Sequence, residues 1–215
     1  MPSHIKIDNI DSLKKILNVN SLWVDQFRES RLMQLINDDN KMNNKKIRMM
    51  LLSCIQTFSD YFQRTIMLRL SLTDNRFFIP LAQEHLQEEY GHNISLLRER
   101  NHQPAKWDPI LETSAAWFSW KMLALDNIEK TLLIHLVLET SANIFFKKAD
   151  EVMQRYKTTQ YFAIHAENDE HHQALGMDLL KDCSPRTYKT LAIVQQQGWE
   201  ILINTCNRIA ELSSL

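Results

Sequence analysis

Glycine is almost missing from this chain: there are three in 215 residues, with five prolines. Average usage would give about 7% glycine and about 5% proline, and a many-stranded sandwich or barrel needs a tight turn roughly every 8–12 residues. A chain so short of turn-makers predicts long helices. Apolar residues recur at three-to-four spacing near 8–17, 21–37, 43–71, 76–100, 110–124, 127–156, 158–182 and 185–213. The breaks are single polar points at Asn18–Ser21, Asn37–Asn44, Thr73–Asn75, Asn101–Pro109, Asp126 and Ser184–Pro185. No low-complexity linker divides them, so one all-α domain over 1–215 is expected. Ser184-Pro185 reads as an N-cap followed by an N1 proline, and Asp126, with Glu129 three residues on, as the start of a capping box.

With 44% hydrophobic and 24% charged residues, the chain has enough apolar mass for a core, which excludes general disorder. Lys and Arg number 25 against 26 Asp and Glu, a net charge of -1, with the signs interleaved. A protein that binds nucleic acid by neutralising phosphates shows a basic excess or stripe, so no nucleic-acid partner is expected. The one basic cluster, Lys41 to Arg48, reads as a solvated helix start. Cys54, Cys183 and Cys206 are far apart and odd in number, which fits idle thiols in a reducing cytoplasm and argues against a zinc–thiolate site. The N-terminal stretch lacks an apolar signal core, and Leu132–Leu138 is short and interrupted by His135. Neither a signal peptide nor a membrane span is expected.

The informative residues are polar ones on apolar stripes. Over 127–156 the stripe runs Leu132, Leu136, Glu139, Asn143, Phe146, which puts Glu139 in its middle. An ionised carboxylate there must be protonated, paired with a cationic side chain or bound to a cation. His135, one turn earlier, is a candidate neighbour for it. Over 158–182 the stripe runs Phe162, His165, Asp169, His172, Gly176, Leu179, so that a His, an Asp and a His project from one face. Glu167, Glu170 and His171 fall off that face. Over 76–100 the stripe carries His85, then Glu88 or Glu89, then His92; with Glu89 it repeats the spacing of the later row.

Glu89, His92, Glu139, His165, Asp169 and His172 together supply three imidazoles and three carboxylates. This mixed nitrogen and oxygen set without thiolate suits iron or manganese better than calcium or structural zinc, and six ligands shared by two metals leave open positions. A helical bundle is a known setting for carboxylate-bridged diiron sites. The rival reading, a buried ion-pair network without metal, needs more buried Arg or Lys than the stripes contain.

Ferritin-like diiron bundles use two lone glutamates and two Glu-x-x-His pairs. Here Glu89-x-x-His92 and Asp169-x-x-His172 are joined by one lone carboxylate and an in-line His165. Over about residues 45–182 the chain instead resembles the heme-oxygenase-like diiron oxidase and oxygenase superfamily. The resemblance is carried by HLQEEYGHN (His85 to Asn93), LVLETSANIFF (Leu136 to Phe146) and HAENDEHH (His165 to His172). Some members place the first-helix carboxylate seven residues before the histidine, a position held here by His85. Others place it three before, which is Glu89, with Glu88 as its substitute.

The resemblance implies a seven- or eight-helix bundle holding two Fe(II) ions that use O2 as co-substrate to oxidise a small molecule in specialised metabolism. Examples of such chemistry are N-oxygenation, C–C cleavage and nitrile formation. His85, Glu88, Asn143 and His135 are then additional ligands or groups that steady the ligands. The resemblance leaves room for an external electron donor and a homodimer. A self-sacrificing route to p-aminobenzoate is disfavoured: Lys147 and Lys148 follow Glu139, but no tyrosine precedes Tyr61.

An amino acid or derivative is the expected substrate, because no single helix shows a long apolar channel face. Arg64, Arg69 or Lys147 would anchor its carboxylate, and Trp107, Trp117, Phe118 and Trp120 would wall the pocket. The alternative is a non-catalytic or metal-free relative, thiaminase-like with Cys54 as nucleophile, or a ferritin-like metal-binding bundle. Gly91 and Gly176 flank the proposed ligands and are expected to make room for metal, O2 or substrate.

Overall fold

The computed structural model describes residues 10–157, 159–163, 165 and 176–215. Its helices are α1 (Leu13–Arg28), α2 (Arg31–Asn37), α3 (Asp39–Asn43), α4 (Lys45–Ser71), α5 (Ile79–Glu89), α6 (His92–Glu99), α7 (Pro109–Ala124), α8 (Asn127–Thr131), α9 (Thr140–Gln154) and α10 (Pro185–Ser213). A π-helix, Leu132–Glu139, joins α8 to α9, and a 3-10 turn, Met177–Leu180, precedes α10. No strand occurs among the described residues.

The two longest helices organise the rest. α4 packs along α7 and carries α5 and α6, while α10 lies against α4, α7, α1, α2 and the π-helix. Gly198 permits the last approach, since a Cβ there would stand 2.6 Å from Leu133 Cδ1. The apolar faces meet in one core that includes Trp23, Phe27, Phe118, Phe162 and Trp199.

Both expected caps are present: Ser184 accepts from Thr187 N ahead of Pro185, and Asp126 and Glu129 close a capping box. Other expected boundaries move. Asn20 does not break a helix; it is buried in α1, where its Oδ1 accepts from Trp199 Nε1 at 2.8 Å and Gln195 Nε2 at 3.0 Å. The break lies at Glu29–Ser30, where Ser30 caps α2. In the basic cluster, Arg48 is buried over the Tyr156 ring at 4.2 Å, whereas Lys41, Lys45 and Lys46 are exposed.

Two corrections shape the site. The helix expected over 76–100 is two, interrupted at Tyr90–Gly91. The helix expected over 127–156 is α8, the π-helix and α9 in succession, and its π segment is buried on every side rather than along one stripe.

Candidate metal centre

Glu89 ends α5 and His92 begins α6, so the break between them sets their relation. Gly91 adopts φ +89°, and a Cβ there would meet nothing within 4 Å. Glycine is needed at 91 for backbone conformation, not for room. Three α4 residues hold the break. Gln63 Oε1 accepts from Gly91 N at 2.7 Å, Asp60 Oδ1 accepts from Asn93 Nδ2 at 2.9 Å, and Gln56 Nε2 donates to Asn93 O at 2.9 Å.

At this junction Glu89 is buried and Glu88 only half-buried. His92 Nδ1 lies 3.0 Å and His165 Nε2 3.8 Å from Glu89 Oε2. One ligand atom from each of Glu89, His92 and His165 falls within 4.8 Å of the others. The His165 ring is stacked on Phe146 at 4.3 Å and tilted against Tyr161 at 4.3 Å. Its Nδ1 stands 2.8 Å from the Tyr161 carbonyl, an acceptor only, so Nδ1 carries the proton. Burial pushes the His165 pKa down, against the pull of Glu89, which keeps the ring neutral. Its Nε2 lone pair is thereby turned toward the Glu89 carboxylate.

Glu139, at the end of the π-helix, is steadied from behind. Arg69 Nη1 lies 3.3 Å from His85 Nδ1, and His85 Nε2 lies 2.9 Å from Glu139 Oε1. A guanidinium only donates, so His85 Nδ1 accepts and its Nε2–H donates to Glu139. All three groups are buried. Burial lowers the Arg69 pKa to about 10 while the Glu139 charge opposes the fall, so Arg69 stays cationic at neutral pH. His85 is thus placed behind a carboxylate rather than among the Glu89, His92 and His165 ligand atoms. His135 is fully buried with its ring 5.2 Å from that of His85, and Asn143 is buried one turn past Glu139.

A cavity borders this cluster. About 80 Å³ is open to the centres of water-sized groups, and Glu89, Glu139 and His165 form one part of its wall. The remainder comes from α1, α2, α4, the π-helix, α9, α10 and Tyr161 and includes Phe58, Phe62, Phe145 and Ile209. Trp107 and Trp120 are instead exposed, and Phe118 packs edge-on against Phe58. The tryptophan-rich stretch therefore does not wall the pocket.

Asp169 and His172, with the off-face Glu167, Glu170 and His171, lie outside the described residues. Gly176 adopts φ +76°, and a Cβ there would stand 2.5 Å from Leu81 Cδ2 and 2.8 Å from Thr131 Cγ2. The room it makes is for packing against α5 and α8, not for a ligand. Cys54 is buried, and burial pushes its thiol up to about 11; burial pushes Cys206, on the cavity wall, to about 12. Cys54, the nucleophile that a thiaminase-like reading requires at the pocket, is not among the described residues that line the cavity.

Sequence reasoning offered Arg69 as a substrate anchor rather than as the partner of His85, and it missed the row Gln56, Asp60, Gln63. That row has the i, i+4, i+7 spacing that singled out the histidines, but it carries amides and one carboxylate and no histidine.

No protein-family model matches the chain. An uncharacterized protein of Rickettsia prowazekii (strain Madrid E) is 31% identical over 196 residues, covering 91% of this chain and 93% of that one. The chain belongs to that protein's family. This family member also matches the crystal structure of a domain of unknown function with a heme oxygenase-like fold from Shewanella denitrificans OS217. The TM-score is 0.70 at 12% identity, covering 93% of this chain and 92% of the other. The fold is heme-oxygenase-like, as the sequence resemblance implies.

Proposed function

We propose that the chain is an O2-dependent oxidoreductase that holds two Fe(II) ions among Glu89, His92, Glu139, His165, Asp169 and His172 and oxidises a small organic metabolite. The observation that carries this reading is the Glu89, His92, His165 cluster, with ligand atoms within 4.8 Å of one another, beside a cavity that Glu139 also borders. The donor set fits the ion. A neutral imidazole lone pair facing a carboxylate oxygen at 3.8 Å is favourable with a cation between them, and mixed imidazole and carboxylate ligands suit iron.

The iron, when bound, would supply O2 activation and electron transfer. The chain's own residues do the rest. Tyr161 orients His165 through its carbonyl, His85 and Arg69 hold Glu139, and Phe146 and Phe62 give the cavity beside them an apolar wall. Three free cysteines are consistent with a reducing cytoplasm, and among the described residues no helix is long and apolar enough to cross a membrane.

Oxygen uptake by Fe(II)-loaded protein tests the proposal. Wild type is expected to consume O2 faster than the same iron in buffer, while Glu89→Ala and His165→Ala fall to the buffer rate with unchanged helicity. Uptake that survives both substitutions would sink the reading.

A further inference from the structure

The tryptophans that do not wall the cavity belong to a helix with an apolar outer face. α7 packs on α4 and α10 with Leu111, Ala115, Phe118 and Met122 buried. At 3.6 residues per turn the opposite side carries Ile110, Thr113, Ala116, Trp117, Trp120 and Leu123, with no charged residue among them. The Thr113 hydroxyl is turned back to Pro109 O at 2.7 Å, which leaves its methyl outward. The two charged residues of α7 stand at the edges of this face and are engaged within the chain. Glu112 accepts from Tyr61 OH, and Lys121 Nζ donates to Gln197 Oε1 at 3.0 Å while lying over the Trp117 and Trp120 rings at 4.9 and 5.2 Å. The outer face of α1, by contrast, carries Lys14, Lys15, Asp25 and Arg28. A helix that is apolar on every side is ordinarily a covered helix.

The exposed area is large. Ile110 is 51%, Trp120 55% and Leu123 64% exposed, and Trp107, beside the Asp108 cap, is 71% exposed. With up to about 250 Å² for each tryptophan, these four side chains offer on the order of 500 Å² of apolar surface. Single exposed apolar residues need no explanation, but a patch of that size is at the upper end of what a monomer shows. A stable interface takes about 800 Å² from each partner, roughly 60% of it apolar, which is about the amount this face supplies.

We infer that the protein is a homodimer joined through α7, with Trp120 and Leu123 of each copy buried against the other. A two-fold interface presents the same patch from both sides and must not oppose like charges. A face whose charges are confined to engaged edge residues, on a chain of net charge -1, meets that condition. A membrane surface would call for a basic rim, whereas Asp108, Glu112 and Asp126 accompany Lys106 and Lys121 along this helix. The proposal does not rest on the metal-centre reading.

Sedimentation velocity of the full-length protein across the micromolar range tests it. Wild type is expected to be a dimer. Trp120→Ala should raise the dimer dissociation constant about 30-fold or more, as loss of a central tryptophan does at protein interfaces, and Leu123→Glu should be monomeric, both at wild-type helicity. Leu22→Glu, which puts a charge on a half-exposed leucine of α1, should remain dimeric. A wild-type monomer at every concentration would overturn the proposal, and so would a monomer that binds phosphatidylserine vesicles through Trp120 and Leu123. A dimer that both α7 substitutions leave intact, or that Leu22→Glu dissociates equally, would also overturn it.

Discussion

His85 illustrates how one side chain's role follows from the atoms around it. On the sequence it occupies the place where some heme-oxygenase-like diiron proteins put a carboxylate ligand. In the fold, Arg69 fixes its tautomer and it donates to Glu139. Hydrogen-bond partners of metal ligands typically account for 10- to 100-fold in metal affinity. His85→Ala is therefore expected to weaken Fe(II) or Mn(II) binding by about that factor, with His85→Gln recovering part of it because an amide can still donate. Calorimetric titration under anaerobic conditions reads both; equal affinity in His85→Ala and wild type would contradict the assignment. Glu88→Ala should leave binding unchanged where Glu89→Ala abolishes it, because only Glu89 is turned inward.

The α5–α6 break is the element on which the site's geometry depends. Holding a side chain at the positive φ of Gly91 costs roughly 1–2 kcal/mol, so Gly91→Ala should lower stability to urea by about that amount while displacing His92 and weakening metal binding. A variant with wild-type metal affinity would show that the break does not set the ligand geometry. Gly176, at φ +76°, is under the same backbone constraint and a steric one besides. The close approach of Leu81 and Thr131 means that a bulky residue there should damage folding as well as activity, visible as a lowered Tm.

A third element-scale test concerns the tie between α7 and α10. Asp108 caps α7 and receives Arg208 Nη2 at 2.6 Å and Nε at 3.1 Å. The Arg208 bond, aided by the Leu111 and Ile110 backbone N–H groups, holds the Asp108 carboxyl at about 2 against an ordinary 3.8. A depressed carboxylate pKa stabilises the fold above the ordinary value, and that contribution is lost as pH falls from 3.8 toward 2. Comparing Asp108→Asn with wild type in denaturant across that window should show the difference between them shrinking as pH falls. A constant difference would contradict the coupling.

Across the whole molecule, helical content and its caps were legible because periodicity and N-cap chemistry are local. Glu89, His92, Glu139 and His165 stood out as polar residues on apolar stripes, and all four border one region of the fold. What escaped was non-local or departed from the ideal period. Asn20 looked like a break because its partners, Gln195 and Trp199, lie at the far end of the chain. The π-helix was hidden because its residues are apolar on every face and carry no period to read. The cavity was invisible because it is built from several helices at once. The central claim, that this helical fold closes around a dinuclear iron site, is tested most directly by anaerobic Fe(II) titration of the purified protein with metal analysis. The account predicts about two irons per chain from the six-ligand set shared by two metals, reduced below one in His165→Ala; wild-type protein that retains no iron, or that retains it equally in His165→Ala, would contradict it.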